Sequence, residues 1–303
     1  MELALRPHGA ALEAFAESVS TQGSVAVRGG QTQWDVGGAP SPGVRFVEAP
    51  SGISELEPAE LVVRCGAGTR VAELDAALAV HRLMCPIDPL RADEATVGGV
   101  LSVGGSGHRR LRYGHLRDLV LEARYVDAEG RLVKAGAPVV KNVTGFDLCR
   151  LLVGSLGTLG LLGEVVLRCR PRPAMSVWLV APDADPFEVR QSLFAPSSVL
   201  WDGLTTFVLL EGDRVEIDAE RRSLRGGWSE CDAPTIPAGR RSMRPRDLRS
   251  LTADSNWLAE VGVGTVHGVS PDSGEVPANA ELFADLKRAY DPVGRLNPGR
   301  QPW

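Results

Sequence analysis

Clusters of glycine beside small hydroxyl residues occupy one part of the sequence, from position 86 to position 167. They lie at 95–101, 104–107, 141–147 and 154–160. A residue without a Cβ lets the backbone approach a bulky group, and converging N–H donors suit an anionic phosphate. The pattern therefore predicts a site for a phosphate-bearing cofactor. Tight turns explain any single cluster equally well, because glycine is the usual turn residue, but they explain the recurrence less well.

A further glycine loop follows the short apolar run at 25–27, where the sequence reads Arg28-Gly-Gly-Gln-Thr32. A strand that ends in this way can wrap its N–H groups around a diphosphate. The sequence contains no G-x-G-x-x-G leading into a helix and no G-x-x-x-x-G-K-[ST]. Neither a dinucleotide-binding Rossmann fold nor a P-loop is therefore predicted.

Composition limits the classes of protein to consider. A chain of 303 residues with 44% hydrophobic and 23% charged residues is typical of a globular protein of about two domains. The net charge of −5 offers no basic surface for nucleic acid. The first residues lack a secretion signal, and no apolar run approaches the length of a membrane span. We expect a cytoplasmic protein without a membrane-spanning segment, in which any association with the inner face of the membrane runs through partners.

The cysteines are odd in number and far apart, and none forms a C-x-x-C pair; they are Cys65, Cys85, Cys149, Cys169 and Cys231. This spacing predicts neither a disulfide framework nor a metal site, so we expect small buried side chains and no bound metal. If the protein carries out redox chemistry, a cluster that passes electrons onward belongs to another chain.

Short helices and strands joined by glycine loops are predicted for residues 1–173. Residues 10–19 have helical spacing, and Thr69 is placed to cap a helix with Val71, Leu74 and Leu78 on its core face. Apolar runs predict strands at 61–65, 119–127 and 159–169. Without regular βαβ alternation, the pattern indicates an α+β fold.

Residues 174–277 are predicted to form a small second domain of the α/β type, and residues 278–303 to return to the first domain. Gly212-Asp213 is interpreted as a hairpin turn into a strand at 215–217. Helices are expected at 186–194 and 219–225, and strands at 176–181 and 207–211. A domain of this size is expected to serve as a cap over the cofactor.

Several of these motifs, in this order, resemble the FAD-binding domain of the vanillyl-alcohol oxidase (PCMH-type) flavoproteins. The motifs are Arg28 to Thr32, Pro86-x-Asp-Pro89 before Ala95 to Gly99, Ser106-Gly107 through Tyr113-Gly114, Val140 to Asp147 and Gly154 to Gly160. Within that superfamily, the loop ending at Asp147 and the segment from Tyr290 to Gly299 are most similar to the FAD-binding E subunit of glycolate oxidase. The resemblance implies a two-lobed FAD-binding domain and FAD as the cofactor.

The resemblance also assigns contacts with FAD. They fall on the loop at 28–32, the segments at 96–107 and 113–114, the turn at 157–158 and the C-terminal segment. The residues so assigned are Arg28, Gly29, Gly30, Gln31, Thr32, Pro86, Thr96, Gly98, Gly99, Ser102, Gly105, Ser106, Gly107, Tyr113, Gly114, Gly157, Thr158, Val165 and Asn297. The sequence departs from the usual pattern at Gln31 and Gln33, at Gly104-Gly105 and at Glu122.

A substrate base is harder to identify. Oxidation of a 2-hydroxy acid by a flavin needs a group that accepts the hydroxyl proton. None of the histidines has metal-binding H-x-H or H-x-x-x-H spacing, and His267 is the only candidate base in the cap, with an ordinary strand residue as the alternative. His108 and His115 are interpreted as surface or hydrogen-bonding residues. The loop at 28–32 contains no histidine, so non-covalent binding of FAD is expected.

Three functions follow from the resemblance. The favoured one is an FAD-binding subunit of a multi-chain 2-hydroxy-acid oxidase or dehydrogenase of the glycolate type. Its partners would be a larger FAD-containing catalytic subunit and an iron–sulfur subunit, and its substrate a small 2-hydroxy acid. The alternatives are a self-sufficient FAD-dependent oxidoreductase and a scaffold subunit that has lost FAD.

Overall fold

The helices of the protein are short. The computed structural model describes residues 8–137, 148–252, 256–268 and 280–302, so the glycine motif at 141–147 lies outside the described residues. The helices in this part of the chain are, in order, α1 Gly9–Val19, α2 Val71–Val80, α3 Val97–Val103, α4 Arg110–Tyr113, α5 Leu148–Leu152, α6 Pro186–Ser192, α7 Arg214–Ser223 and α8 Ala280–Tyr290. Turns of 3-10 helix cover Leu116–Asp118 and Pro245–Ser250. None of these described helices is long and apolar enough to cross a membrane.

Most strands are also short. In chain order they are β1 Val25–Val27, β2 Arg45–Val47, β3 Ile53–Glu57, β4 Val62–Gly66, β5 Leu83–Met84, β6 Val120–Val126, β7 Leu132–Gly136, β8 Leu161–Arg168, β9 Arg170–Pro171, β10 Met175–Pro182, β11 Ser198–Trp201, β12 Thr205–Gly212, β13 Ser229–Cys231, β14 Arg240–Ser242, β15 Leu258–Glu260 and β16 Thr265–His267.

The chain divides into two compact units. The first comprises residues 1–106, 115–172 and 276–303, and the second comprises residues 107–114 and 173–275. The stretch at 107–114, which sequence places in the first domain, therefore belongs to the second unit. It is held there by Arg109, whose Nε lies 3.0 Å from a carboxylate oxygen of Glu211.

The first unit is built on an antiparallel sheet with the strand order β3-β4-β8-β6-β7. Strand β8 pairs with β4 and β6, and its residues from Leu161 to Leu167 are all buried. A nearly continuous apolar run suits this position, because both faces of the strand are covered. Strands β1 and β2 form a separate parallel pair, in which Val25 lies opposite Arg45.

Helices α1 to α3 belong to the first unit, as do α5 and α8. Leu12, Phe15 and Val19 of α1 are buried, as the helical spacing predicts. Helix α2 buries Leu74 and Leu78 in the main hydrophobic cluster beside α3. Gly98 of α3 lies so close to residue 67 that a Cβ on it would be 2.7 Å from the Cβ of Ala67. Helix α3 therefore lies directly against the loop that follows β4.

The second unit is built on an antiparallel sheet with the order β13-β10-β12-β11-β15-β16-β14. Helices α6 and α7 pack on one face of this sheet. Val189 of α6 and Ile217 of α7 join a hydrophobic cluster with Val199, Val208 and Leu210 of the sheet. Alternate residues of the strands point to the opposite face, which carries charged side chains.

The hairpin turn predicted at Gly212-Asp213 and the strand predicted at 215–217 are wrong. Asp213 is the N-cap of α7, and its carboxylate accepts a hydrogen bond from the Glu216 N–H at 2.8 Å. The Glu216 carboxylate accepts in return from the Asp213 N–H at 2.9 Å. This reciprocal capping box satisfies two N–H groups that a helix start leaves without partners, and it outweighs the turn preference of Gly-Asp.

Thr69 does not cap α2, contrary to the sequence interpretation. The N-cap is Arg70, which makes no side-chain capping bond. The Thr69 hydroxyl is fully buried and bonds to the carbonyl oxygens of Gly66 at 2.7 Å and Gly52 at 3.0 Å. Thr69 therefore fixes two loops to each other instead of starting the helix.

Candidate functional site

A cavity of about 270 Å³ opens in the first unit, where the glycine loops meet. The loop after β1, the loop after β4, the first turn of α3, the turn at 156–157 and the C-terminal segment line it. The residues assigned to FAD contacts that line this cavity are Arg28, Gly29, Gly30, Gln31, Thr32, Thr96, Gly98, Gly99, Ser102, Gly157 and Asn297. Folding thus brings together segments that are separated in the sequence by nearly the whole length of the chain.

The loop at 28–32 lies against residues 94–96 with no room for side chains. A Cβ on Gly30 would lie 1.7 Å from the carbonyl oxygen of Glu94, and a Cβ on Gly29 would lie 2.4 Å from Oγ1 of Thr96. Only glycine fits at such approaches. Pairing with β2 continues to Arg28, whose N–H donates to the Val47 carbonyl oxygen at 2.9 Å. The two glycines therefore fix where the loop leaves the strand.

Beyond Arg28 the backbone N–H groups of this loop have no acceptor in the part of the chain that the structure describes. Within the described part of the chain, no hydrogen bond is donated by the N–H groups of residues 29–33. Gln31 adopts a left-handed conformation with φ of 56°, which turns the loop between its glycines. Consecutive N–H groups on such a turn form a concave site for an anion.

The N–H groups at the start of α3 are, by contrast, already engaged. Val97 donates to the Thr69 carbonyl oxygen at 2.9 Å, and Gly98 donates to the Ala67 carbonyl oxygen at 2.7 Å. The Gly99 N–H donates to Oγ1 of Thr96 at 3.2 Å. Between these two segments, the donors without an acceptor among the described residues therefore belong to the loop at 29–33 and not to the start of α3.

The turn at 156–157 and the C-terminal segment meet at the cavity wall. Asn297 donates from Nδ2 to the Leu156 carbonyl oxygen, and its own N–H donates to Val25 at 2.8 Å. Both Leu156 and Asn297 have positive φ, 52° and 43°. Left-handed conformations cost free energy for residues with a Cβ, so this contact holds a strained piece of backbone in place.

An ion pair between half-buried Lys287 and buried Asp291 supports this contact. Lys287 Nζ lies 2.5 Å from the Asp291 carboxylate and donates to the carbonyl oxygens of Thr158 at 2.8 Å and Leu296 at 2.9 Å. Asp291 also accepts from the N–H of Leu296 at 2.7 Å. Burial lowers the pKa of Lys287, and the hydrogen bond and charge of Asp291 oppose that change. Thr158 therefore joins the C-terminal segment to the wall, although it does not line the cavity.

Other residues assigned to FAD contacts are not among those that line this cavity. Ser106 is buried, and its Oγ accepts from the Leu116 N–H at 3.4 Å. Val165 lies within β8 and is 1% exposed. Those that do not line the cavity are Pro86, Gly105, Ser106, Thr158 and Val165 in the first unit and Gly107, Tyr113 and Gly114 in the second unit.

Glu122, one of the departures from the usual pattern, also lies outside the cavity. It is fully buried on β6, and its carboxylate lies 2.7 Å from Arg64 and 3.1 Å from Lys134. Burial alone would raise the pKa of Glu122, but the hydrogen bonds and charges of Arg64 and Lys134 lower it. It links β6 to the neighbouring β7 through Lys134 and, across β8, to β4 through Arg64.

Sequence reasoning did not assign Arg70, Trp34 and Arg300, which also line the cavity. The Arg300 guanidinium lies 4.4 Å from the centre of the Trp34 ring and donates to the Val36 carbonyl oxygen at 2.8 Å. The guanidinium groups of Arg28, Arg70 and Arg300 give the cavity a net positive charge, because they outnumber the carboxylate of Glu48. An arginine directly after Asn-Pro-Gly was the available signal for Arg300.

The candidate base His267 lies in the second unit on β16, a strand as expected. Its Nε2 lies 2.7 Å from Oε1 of Glu260, and the two residues are 7% and 1% exposed. His108 lies in the same unit, with its ring centre 5.4 Å from that of Trp178. Within the described residues the five cysteines form no disulfide, and all but Cys231 are buried.

Comparison with known proteins identifies relatives of both the sequence and the fold. Residues 9–136 match a family model described as an FAD binding domain. The chain is 29% identical to the glycolate oxidase subunit GlcE of Escherichia coli over 96% of each protein. It is 36% identical to a D-lactate dehydrogenase of Archaeoglobus fulgidus, but over 49% of this chain and only 33% of that protein.

Among solved structures, an alkyldihydroxyacetonephosphate synthase superposes with a TM-score of 0.69 over 96% of this chain and 74% of that protein. The two sequences are 15% identical, so the likeness concerns the fold alone. It confirms the expected α+β fold.

Proposed function

We propose that this chain, which carries an FAD-binding domain of the PCMH type, is the FAD-binding subunit of a multi-chain oxidoreductase. The substrate of that oxidoreductase is a small 2-hydroxy acid. FAD is the cofactor of this domain, and the chain resembles FAD-dependent hydroxy-acid oxidoreductases. The subunit binds FAD without a covalent bond and relays electrons or supports a larger catalytic flavin subunit. An iron–sulfur subunit carries the electrons onward.

The observation that carries the flavin assignment is the set of free N–H donors at residues 29–33. A diphosphate needs several converging donors, and this loop offers them beside Arg28 and Arg70. We assign the diphosphate to this loop. Gly99 and Ser102 of α3 and the wall formed by Gly157 and Asn297 complete the binding surface. When bound, FAD accepts a hydride or two single electrons and passes them on.

Non-covalent binding is supported by the lining of the cavity. The described residues that line it include no histidine, cysteine or tyrosine. These are the side chains whose nucleophilic atoms could bond to the flavin ring. The loop instead offers backbone donors and arginine charges, which hold a diphosphate by hydrogen bonds.

Membership of a complex is supported by the relative that matches along its length, since its name describes a subunit of glycolate oxidase. The described residues hold no group of histidine, cysteine or acidic side chains suited to a metal ion. We therefore assign onward electron transfer to a partner chain. We also propose that residues 174–277 form a cap domain and that residues 278–303 return to the first domain.

An absorption spectrum of the purified chain tests the flavin assignment. We expect a flavin spectrum and release of FAD into the supernatant on acid precipitation. A colourless chain that cannot be reconstituted with FAD would support the scaffold alternative. A flavin that stays with the precipitate would contradict non-covalent binding.

Dye-linked turnover with glycolate and D-lactate tests the subunit assignment. The isolated chain should turn over negligibly, and activity should appear when it is co-purified with its partners from its native host. Brisk turnover by the chain alone, with no co-purifying protein, would establish the self-sufficient oxidoreductase instead.

A further inference from the structure

The loop at 28–32 lies against the segment at 91–96, but the backbone does not fix the two together. Gly30 approaches Glu94 so closely that a Cβ on it would lie 1.7 Å from the glutamate carbonyl oxygen. Within the described part of the chain, no backbone–backbone hydrogen bond joins the loop to this segment. The direction of the loop's peptide groups therefore depends on something other than strand pairing.

The side chain of Arg91 supplies a hydrogen bond between the two segments. Its Nη2 group donates to the carbonyl oxygen of Thr32 at 2.8 Å. Arg91 also forms an ion pair with Glu94, in which the nitrogen and oxygen are 3.4 Å apart and the two side chains are 51% and 57% exposed. A charged donor strengthens a hydrogen bond to a neutral carbonyl oxygen. Arg91 is thus placed to hold the Thr32 carbonyl group in one direction.

The bond to Arg91 also sets the direction of the next N–H group. The peptide between Thr32 and Gln33 is planar and trans, so the Gln33 N–H points away from the Thr32 carbonyl oxygen. Because that oxygen faces Arg91, the N–H faces away from Arg91. Thr32 and Gln33 line the cavity, whereas Arg91 is not among the residues that line it. This geometry directs the Gln33 N–H toward the cavity.

Arg91 also controls which end of this peptide an anion would meet. The Thr32 carbonyl oxygen accepts no other hydrogen bond among the described residues, and the Gln33 N–H donates none. Without Arg91, nothing among these contacts would prevent the peptide from turning over. A carbonyl oxygen would then face the anion in place of an N–H donor, and an oxygen with partial negative charge repels a phosphate.

We infer that Arg91 is a positioning residue for the diphosphate of FAD. It holds the peptide between Thr32 and Gln33 so that the N–H group, and not the carbonyl oxygen, faces the anion. Arg91 itself does not touch the cofactor. This inference rests on the proposed function, because the diphosphate as the ligand of the loop is taken from that proposal.

Fluorescence titration of the deflavinated chain with FAD and with riboflavin tests the inference. Riboflavin has the flavin ring but no diphosphate. Arg91→Met removes the donors and keeps the aliphatic stem. We expect the dissociation constant of FAD to rise about tenfold in this variant, and that of riboflavin to stay the same. Arg91→Lys should restore most of the FAD affinity, because an ammonium group can donate to the same carbonyl oxygen.

Glu94→Gln is the matched control. It removes the ion pair with Arg91 and leaves the bond from Arg91 to Thr32 in place. Neither dissociation constant should change by more than about twofold, because exposed ion pairs contribute little. Circular dichroism of each variant identifies loss of fold. If Arg91→Met unfolds, Arg91→Gln takes its place, since the glutamine side chain is too short to reach the Thr32 carbonyl oxygen.

Two results with Arg91→Met would overturn the inference: an unchanged dissociation constant for FAD, or an equal loss of affinity for FAD and riboflavin, which would show a general structural role. A loss of the same size in Glu94→Gln would also overturn it, because the ion pair would then account for the effect. A wild-type chain that binds neither FAD nor riboflavin would overturn the proposed function and this inference with it. Tight binding of FAD by both the wild type and Arg91→Met would overturn this inference alone.

Discussion

Gly157 lies so close to Asn297 that a Cβ on it would be 2.6 Å from Nδ2 of the asparagine. The two residues are 140 positions apart in the chain, yet they form one wall of the cavity. Lys287 and Asp291 hold the asparagine there through the carbonyl oxygen of Thr158 and the N–H of Leu296. The position of the C-terminal segment thus depends on the absence of a Cβ at Gly157.

Gly157→Ala should therefore lower flavin content and stability together. The alanine takes a left-handed conformation at φ of +69° and displaces the Asn297 amide. The matched control is Gly294→Ala, at φ of +67° with no atom within 4 Å of its Cβ. The control should lose about 1–2 kcal/mol of stability from backbone strain alone. The flavin absorbance ratio of the two purified variants is the measurement, and equal ratios would contradict the assignment of this wall.

Gly30→Ala should reduce flavin occupancy because its Cβ would lie 1.7 Å from the Glu94 carbonyl oxygen. The loop must move, and the N–H groups of residues 29–33 then no longer converge. Gly9→Ala is the control, since nothing lies within 4 Å of its Cβ. Dissociation constants for FAD, from fluorescence titration of the deflavinated proteins, should rise at least tenfold for Gly30→Ala only. An unchanged constant would remove the loop from the diphosphate site.

Gln31→Gly should stabilise the protein. Removal of the Cβ relieves a left-handed conformation at φ of 56°, worth about 1–2 kcal/mol, and costs about 0.5–1 kcal/mol of chain entropy. A net gain of about 1 kcal/mol corresponds to about 2–4 °C in Tm. Gln33→Gly is the control, because Gln33 has no positive φ and should lose stability. A fall in flavin content for Gln31→Gly would show instead that the glutamine side chain contacts the cofactor.

Glu122→Gln should remove part of the acid sensitivity of the fold. The pKa of Glu122 is lowered in the folded protein. Its stabilisation is therefore complete above the unfolded pKa of about 4.3 and is lost as pH falls through the folded pKa. At neutral pH the variant should be less stable by about 3 kcal/mol, since Arg64 and Lys134 lose a buried counter-charge. The difference in stability between the wild type and the variant, called the gap below, should narrow as pH falls below about 4.

Denaturant unfolding from pH 7 to pH 3 measures this gap. Glu55→Gln is the control, because Glu55 also binds Arg64, at 2.9 Å, but its side chain is 51% exposed. The control should change stability by less than about 1 kcal/mol at any pH. A gap for Glu122→Gln that does not depend on pH would contradict the assigned role of its carboxylate.

The sequence by itself predicted the α+β fold and FAD as the cofactor. The glycines at 28–32, 95–107 and 154–160 can be recognised in the sequence, because a close backbone approach or a positive φ selects glycine wherever it occurs. The spacing of Leu12, Phe15 and Val19 likewise selects a helix without help from the rest of the chain. These local preferences can be read from the amino-acid sequence alone.

Tertiary structure alone decided which donors remain free. The glycines at 98 and 99 look equivalent to those at 29 and 30, but the N–H groups of the first pair are taken by Ala67 and Thr96. Whether a donor is available depends on acceptors that lie far away in the sequence. Hydrogen bonds and charges act across space, so their partners are fixed only when the chain has folded.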